Sequence, residues 1–584
     1  MESSSRSLGE TVRSVCGRST MSIYPERLNY YVDGGAVSKP QLSAVATLLS
    51  LSNDGTVPPV VNDLVWLSFA LALNASEGGH TCIDLHEIDR WYPDDLESGA
   101  LTWPPGNQWI EAVSAQVNLV ATPSTIERLP RRPFVLDGSR LYVLRSFEEE
   151  RSIAQWISSA ADSRLKVLLG GPGSGKTTEV ARQLVARFAG SSAQDVSVAM
   201  AAPTGKAADR MRQAIESRLL SEHATSEVIA RVQEAPSITI HRLLGYSPVR
   251  RTGRFQYNRE NPLPYDLVII DEASMLSLSL MYRLLEALRP TAELFLVGDP
   301  EQLASVDAGT VLADISTAAT TEGTNLHRRT KRLTTQFRYA VGSPIERVVK
   351  AVQSGDADHL IEVLQPMRNS GGVVSWIDPS STDIDDQSAF SALASNVRRH
   401  ALEIVDLATA AKYGEVLEKL GDLQLLCASR SGQLGIAGWN RTVNQWIGTS
   451  TRKQWFIGRP ILITKNDHNN HLYNGDVGVV CVDPSGDIRV VFDGITGPRE
   501  FPTVRLPEVE TVHALTIHKS QGSEYKHAVV VLPNGRSRLL TRELLYTGVS
   551  RAREQLTIVA SESALRTAVN TVVVRASGLV DRLQ

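Results

Sequence analysis

The chain has 584 residues, 42% of them apolar and 21% charged, with a formal net charge of −4 at pH 7. At ~150 residues per core this is too long for one domain and predicts roughly three or four, and the near-neutral balance excludes a uniformly basic nucleic-acid coat, so any strand contact has to be local. No apolar run approaches the ~20 residues of a membrane helix, the start Met1-Glu2-Ser3-Ser4-Ser5-Arg6 lacks a signal-peptide core, and the widely spaced Cys16, Cys82, Cys427 and Cys481 predict buried thiols in a reducing cytoplasm rather than a zinc site.

Residues 1–130 carry no catalytic pattern; 64–73 read as an apolar helix and Cys82-Ile83-Asp84-Leu85 as a short strand, which suits a docking role. Phe134-Val135-Leu136-Asp137-Gly138-Ser139-Arg140-Leu141-Tyr142-Val143 reads as a hairpin. The strand Val167-Leu168-Leu169 then runs into Gly170-Gly171-Pro172-Gly173-Ser174-Gly175-Lys176-Thr177-Thr178, with helix-forming residues at 179–188. This is a phosphate loop: glycines let successive N–H groups turn toward one anion, and the following helix adds its positive end. Lys176 can reach the β- and γ-phosphates and the Thr177 hydroxyl can ligate Mg²⁺, so ATP and Mg²⁺ are the expected ligands.

Beyond the loop the chain returns repeatedly to a strand followed by a polar turn, the pattern of a parallel sheet whose carboxyl edge holds the ligand. The region 250–259 interleaves basic and aromatic residues, which suits either a hairpin or a disordered basic loop. Leu267-Val268-Ile269-Ile270 ends in Asp271, suited to Mg²⁺, and Glu272, suited to polarising the attacking water. Leu294-Phe295-Leu296-Val297-Gly298-Asp299-Pro300-Glu301-Gln302 puts Gln302 where a γ-phosphate could be sensed. Arg338 and Arg551 follow later strand or helix signals and read as guanidinium groups that stabilise the transferring phosphoryl group. The acidic tract 378–386 reads as a solvated linker rather than a metal site. Alternating runs at 461–464, 477–482 and 488–492, with Asn474-Gly475 between the first two, predict a β insertion.

These stretches, in this order, resemble the motifs of a superfamily 1 helicase of the 5′→3′ class. Beside the phosphate loop stand Ala202-Pro203-Thr204-Gly205-Lys206-Ala207-Ala208, Thr239-Ile240-His241-Arg242-Leu243-Leu244-Gly245, Asp271-Glu272-Ala273-Ser274-Met275, 298–306 and 336–338. Leu515-Thr516-Ile517-His518-Lys519-Ser520-Gln521-Gly522-Ser523-Glu524 and 546–553 complete the set. Leu425-Leu426-Cys427-Ala428-Ser429-Arg430, Gly435-Ile436-Ala437-Gly438-Trp439-Asn440, Gly458-Arg459-Pro460 and Tyr473-Asn474-Gly475-Asp476-Val477-Gly478 narrow the likeness to the RecD family, the α subunits of RecBCD exonuclease V, over most of the chain.

The resemblance implies an α/β architecture of two RecA-like P-loop NTPase motor domains, an inserted small SH3-like β-barrel and a mostly helical N-terminal domain. The implied boundaries are 1–130 for partner docking, 131–332 for domain 1A with a 1B hairpin near 247–262, 333–451 with 508–584 for domain 2A, and 452–507 for domain 2B. It implies strand contacts at Thr204, Lys206, His241, Thr516 and His518, and an adenine-recognising glutamine for which Gln155 is the candidate. It further implies an ATP-dependent 5′→3′ motor on single-stranded DNA and duplex ends, in a bacterial cytoplasm at the nucleoid. RecB-like and RecC-like partners, no membrane and a role in recombinational repair go with it. No nuclease constellation is evident, so end resection would fall to the RecB-like partner. Two other readings stay open: a helicase acting alone, and an assembly subunit with a vestigial nucleotide site.

Overall fold

The structure, a computed structural model, describes residues 24–52, 61–92, 100–128, 130–188, 196–221, 224–247, 255–448, 454–465, 467, 470–494, 497–506, 508–535 and 537–584. The chain divides into two compact units, one of residues 1–152 with 307–309 and 575–578, the other of 153–306, 310–574 and 579–584.

In the first unit the helix Asp63–Asn74 is buried from Leu64 to Ala72 and is capped by the Asn62 side chain, which accepts from Leu64 N. Apolar on every side, it forms the centre of a core shared with Leu42, Val45, Trp109 and Phe134. Its sheet contains β1 (Ile83–Asp84), β2 (Val120–Ala121), β3 (Phe134–Asp137) and β4 (Arg140–Val143), in the order β1-β4-β3-β2. The expected helix, short strand and hairpin are all present. The hairpin, however, pairs with β1 and β2 and belongs to this unit, which reaches Ser152 rather than ending at 130, so helices share the core with a sheet. Residues 575–578 return to it. The Glu150 carboxylate, fully buried, accepts from Tyr142 Oη (3.0 Å), Thr81 Oγ1 (2.9 Å) and Gly578 N (3.2 Å).

The second unit contains two parallel sheets. Lobe 1 holds β5 (Leu165–Gly170), β6 (Val198–Ala202), β7 (Ser237–Thr239), β8 (Leu267–Ile270), β9 (Glu293–Gly298) and β10 (Thr330–Leu333), ordered β10-β5-β9-β8-β6-β7. Lobe 2 holds β11 (Val374–Ile377), β12 (Leu423–Cys427), β18 (Ala514–Thr516), β19 (Tyr525–Val531) and β20 (Ala552–Val559), ordered β11-β20-β19-β12-β18. Strands buried on both faces, such as β8 with every residue buried, are what helix-covered parallel sheets require. Between β12 and β18 the chain inserts an antiparallel sheet of β13 (Pro460–Ile463), β14 (Val477–Val482), β15 (Ile488–Phe492), β16 (Arg499–Pro502) and β17 (Val509–Thr511), in the order β16-β15-β14-β13-β17.

Several boundaries move. Because β17 pairs with β13, the inserted sheet extends past 507. The C-terminal residues expected in domain 2A leave it: 575–578 join the first unit, and Leu579 and Leu583 pack into the lobe 1 core. No strand forms among the described residues 255–262, where Asn258 and Asn261 close a turn instead (3.0 and 3.2 Å), and 248–254 lie outside the described residues. The acidic tract is no linker throughout: Asp383 caps the helix Ile384–Thr409, and Asp386 is buried against Arg368 (2.5 Å) and Asn369 (2.8 Å). Cys82, Cys427 and Cys481 are buried free thiols, each pushed up to about 12 by burial, and Cys16 lies outside the described residues. Among the described residues no helix is long and apolar enough to cross a membrane.

Candidate nucleotide site and strand-facing surface

β5 ends at Gly170 and the helix Lys176–Phe188 starts within one turn of it, so the loop between them curls tightly, with Gly173 at φ 75° and Gly175 at φ 85°. Lys176 Nζ donates to Gly170 O (2.6 Å) and Gly171 O (3.0 Å). The buried Ser174 hydroxyl has no hydrogen-bond partner. β8 delivers Asp271 and Glu272 to the same edge, and Glu272 is held at φ 50°, a left-handed backbone rare for a residue with a side chain. Burial, then the Glu272 charge, push the Asp271 carboxyl above the usual range, and Lys176 pulls it down. A carboxylate so hard to ionise alone is stabilised by a cation.

Lobe 2 closes over this edge. Phe337 N donates to Gly173 O (2.8 Å), and the Phe337 ring, 74% exposed, stands 3.4 Å from where a Cβ on Gly175 would sit. Arg338 donates to Ser550 O (2.8 Å) and pairs with Glu524. Arg551 is buried and donates to Thr547 O (3.1 Å), Ser523 O (3.2 Å) and Gln302 Oε1 (2.5 Å). Gln302 Nε2 donates onward to Asp299 Oδ2 (2.9 Å), which also accepts from Tyr546 Oη (3.0 Å). This buried chain ties the end of β9 to the helix Arg542–Val549 across the two lobes, and burial holds the Arg551 guanidinium below its ordinary value. Such networks are stable only when every member is satisfied.

Pro172, Gly173, Gly175, Lys176, Thr177, Thr178, Asp271, Glu272, Gln302, Arg338 and Arg551 thus line one cleft of about 970 Å³. Gly170, Gly171 and Ser174 form the turn beneath it; a Cβ on Gly171 would come 2.9 Å from the Tyr546 hydroxyl. The residues present fit a nucleotide and Mg²⁺: a curled loop before a helix, an unpartnered Ser174 hydroxyl, and Thr177 and Asp271 both on the wall of the one cleft. Gln155 does not belong to it. It is exposed on the helix Leu144–Ser159 and absent from the cleft lining, because that helix turns its apolar face to the core. Phe337, Glu524, Asp299 and Tyr546 were not singled out from sequence; all lie inside the motif strings, next to residues that were.

The expected strand contacts lie at or just after the ends of β6, β7 and β18. Thr204 Oγ1 accepts from Ala207 N (3.2 Å) at the start of the helix Gly205–Ser221. Lys206, half-buried, is lowered to about 8 by burial and then by Arg210, against the charges of Asp476 and Asp493 from the inserted sheet. His241 is exposed and stacks near Phe255 (6.3 Å), with Tyr246 edge-on at 5.5 Å. His518 is half-buried. Thr516 is buried, and its hydroxyl accepts from Lys519 N (3.1 Å), closing the turn that follows it.

Comparison with known proteins fits this layout. The model of the RecBCD enzyme subunit RecD N-terminal domain matches residues 45–142, that of an AAA domain 154–308, and that of a UvrD-like helicase C-terminal domain 511–559. The RecBCD enzyme subunit RecD of Mycolicibacterium smegmatis is 38% identical over 565 residues, covering 89% of this chain and 94% of that protein. The protein of the same name from Haemophilus influenzae is 30% identical over 502 residues, covering 78% and 76%. The ATP-dependent RecD2 DNA helicase of Deinococcus radiodurans is 32% identical over 425 residues, covering 71% of this chain and 49% of that protein. With two parallel-sheet lobes meeting at a phosphate loop and a RecD relative matched over 94% of its length, the chain belongs to the RecBCD subunit RecD family and is a DNA helicase of the RecD type.

Proposed function

We propose that this chain is an ATP-driven motor that moves 5′→3′ along single-stranded DNA, within an assembly with RecB-like and RecC-like partners that processes duplex ends for recombinational repair. One observation carries the reading: Lys176, Asp271 and Glu272 of lobe 1 share a cleft with Arg338 and Arg551 of lobe 2, and Arg551 is bonded to Gln302. The loop amides and Lys176 bind phosphate oxygens, and Thr177 with Asp271 would hold Mg²⁺, which supplies charge neutralisation when bound. Glu272 takes the proton of the attacking water, while Arg338 and Arg551 meet the charge that develops on the transferring group. Because the two guanidinium groups come from the second lobe, their fit to the nucleotide requires lobe closure, and Gln302 reports it through Arg551 and Asp299. The exposed Phe337 ring over the loop is the group best placed to stack on the base, in place of Gln155.

The 1–152 unit is the natural docking surface for a scaffold partner, and the nuclease step belongs to another chain. The test is unwinding of duplexes with 5′ or 3′ single-stranded tails, with and without the partners, by wild type and Lys176→Gln. Wild type opens the 5′-tailed duplex, and Lys176→Gln loses about 10³-fold in strand-stimulated ATPase. Undiminished ATPase in Lys176→Gln sinks the site assignment; preference for 3′ tails sinks the polarity. Isolation of the native chain without two larger partners sinks the assembly.

A further inference from the structure

The lobe 1 surface that carries Gly205, Lys206 and Arg242 is met by groups of the inserted sheet. Tyr473 lies against Gly205 so closely that a Cβ there would stand 3.1 Å from its ring, tighter than an ordinary van der Waals contact, so that a larger residue would push the tyrosine outward. The Tyr473 hydroxyl accepts from Arg242 Nη1 (2.6 Å), whose guanidinium lies 5.6 Å from the ring centre. Asp476 Oδ2 accepts from Tyr473 N (2.7 Å) and so sets the tyrosine, while Arg499 holds the back of the turn at His471 O (3.1 Å) and Asn470 O. Asp476 and Asp493 bring negative charge to Lys206. A helix N-terminus at Gly205, a lysine and an arginine make a local positive field; Asp209 of the same helix answers Arg242 from within lobe 1, and the groups that reach it from outside the lobe come from a segment inserted between β12 and β18.

We propose that the 470–476 turn, together with Asp493, is a clasp that occupies the cationic surface of lobe 1 in place of a single strand: the phenol and two carboxylates stand where the phosphates of a polyanion would bind, and a strand must displace them. This rests on the reading of the chain as a strand motor and adds how the strand gains access. The clasp suits displacement because its polar contacts are exposed or half-buried, where ion pairs and hydrogen bonds contribute little. A strand, by contrast, releases counterions with every phosphate neutralised.

The experiment measures binding of a fluorescent oligothymidylate to the full chain by anisotropy, over a salt series, for wild type, Tyr473→Ala, Tyr473→Phe and Asp493→Asn. Tyr473→Ala and Asp493→Asn are expected to bind about three- to tenfold tighter, chiefly through faster association, with strand-independent ATPase unchanged. Tyr473→Phe, which keeps the ring and loses only the bond to Arg242, gives a smaller rise and guards against a misfolded turn. Unchanged or weaker binding in both Tyr473→Ala and Asp493→Asn overturns the clasp and makes the turn a plain strand contact or a passive cover. If wild type itself neither binds the oligonucleotide nor shows strand-stimulated ATPase, the motor reading falls and takes the clasp with it.

Discussion

The nucleotide cleft and the surface proposed to meet a strand are both built on the carboxyl edges of parallel strands, yet they are held in different ways. In the cleft the charged groups of the two lobes are locked to one another by buried bonds, Arg551 to Gln302, Gln302 to Asp299 and Asp299 to Tyr546. On the proposed strand side the cations of lobe 1 meet an insertion through exposed contacts such as Arg242 to Tyr473. Chemistry at a reacting phosphate needs donors fixed before the substrate arrives, whereas a motor must grip and release a backbone at every step. Rigidity belongs to the first surface and exchange to the second.

The sharpest way to break this contrast is at Arg551. Arg551→Ala is expected to lower single-turnover ATPase by about 10³-fold, the scale of a lost arginine finger, while affinity for a single strand stays within about twofold. Arg551→Lys keeps a charge but loses the fork that reaches Thr547, Ser523 and Gln302 together, and so recovers little. Equal losses of hydrolysis and strand affinity in Arg551→Lys would mean that the two surfaces are one energetic unit.

The lobes also differ in acid. In lobe 2, His513 is lowered to about 3 and His527 to about 4, and His400 is lowered too, in each case chiefly by burial. The unfolded chain takes up these protons near pH 6.5 while the folded lobe refuses them, so the unfolded state binds more protons and stability falls as pH drops below 6.5. In lobe 1, burial alone would raise Glu179, yet bonds from Arg182, Gln183 and Lys331 hold it at about 2, so its contribution is lost only below the ordinary carboxylate range. From pH 6.5 to 5, lobe 2 should lose about 1 kcal/mol for each of His513 and His527, read as faster hydrogen exchange in β12, β18 and β19, while β5 and β8 are not accelerated, because Asp271, raised by burial and by Glu272, takes up its proton in the folded lobe before the unfolded chain does. Equal acceleration in both lobes would remove the distinction.

Much of the cleft was legible because its chemistry sits at fixed spacing on strand ends. The turn after β5, the acids after β8 and Gln302 after β9 each follow a buried apolar strand, and a parallel sheet brings such ends together whatever the distance in sequence. Arg338 and Arg551 needed the order of the motifs as well, since nothing local marks an arginine as pointing across a cleft. Gln155 rested on a family position carried over without a local signal, and it stands on the exposed face of its helix, outside the cleft lining. The return of 575–578 to the first unit and of Leu579 and Leu583 to lobe 1 had no sequence pattern to announce it. Strand contacts were the least legible: Thr204 and Thr516 are turn-closing hydroxyls, which suit their own backbone as well as they would a phosphate.

Thr516 offers the smallest and most discriminating of these tests. Its hydroxyl is buried and accepts from Lys519 N at 3.1 Å, in the turn that follows β18. Thr516→Val keeps the volume and removes the acceptor, leaving one backbone N–H to find another partner, at a cost of about 1 kcal/mol. Exchange at residues 517–521 should quicken by that margin, while oligothymidylate affinity stays within about twofold. His518→Ala, two residues on and half-buried, should instead weaken strand binding and leave the turn protected. The reverse pattern, tenfold weaker binding in Thr516→Val with an intact turn, would show that the threonine leaves its own backbone for a phosphate when a strand arrives, and that the strand-facing side rearranges as far inward as β18.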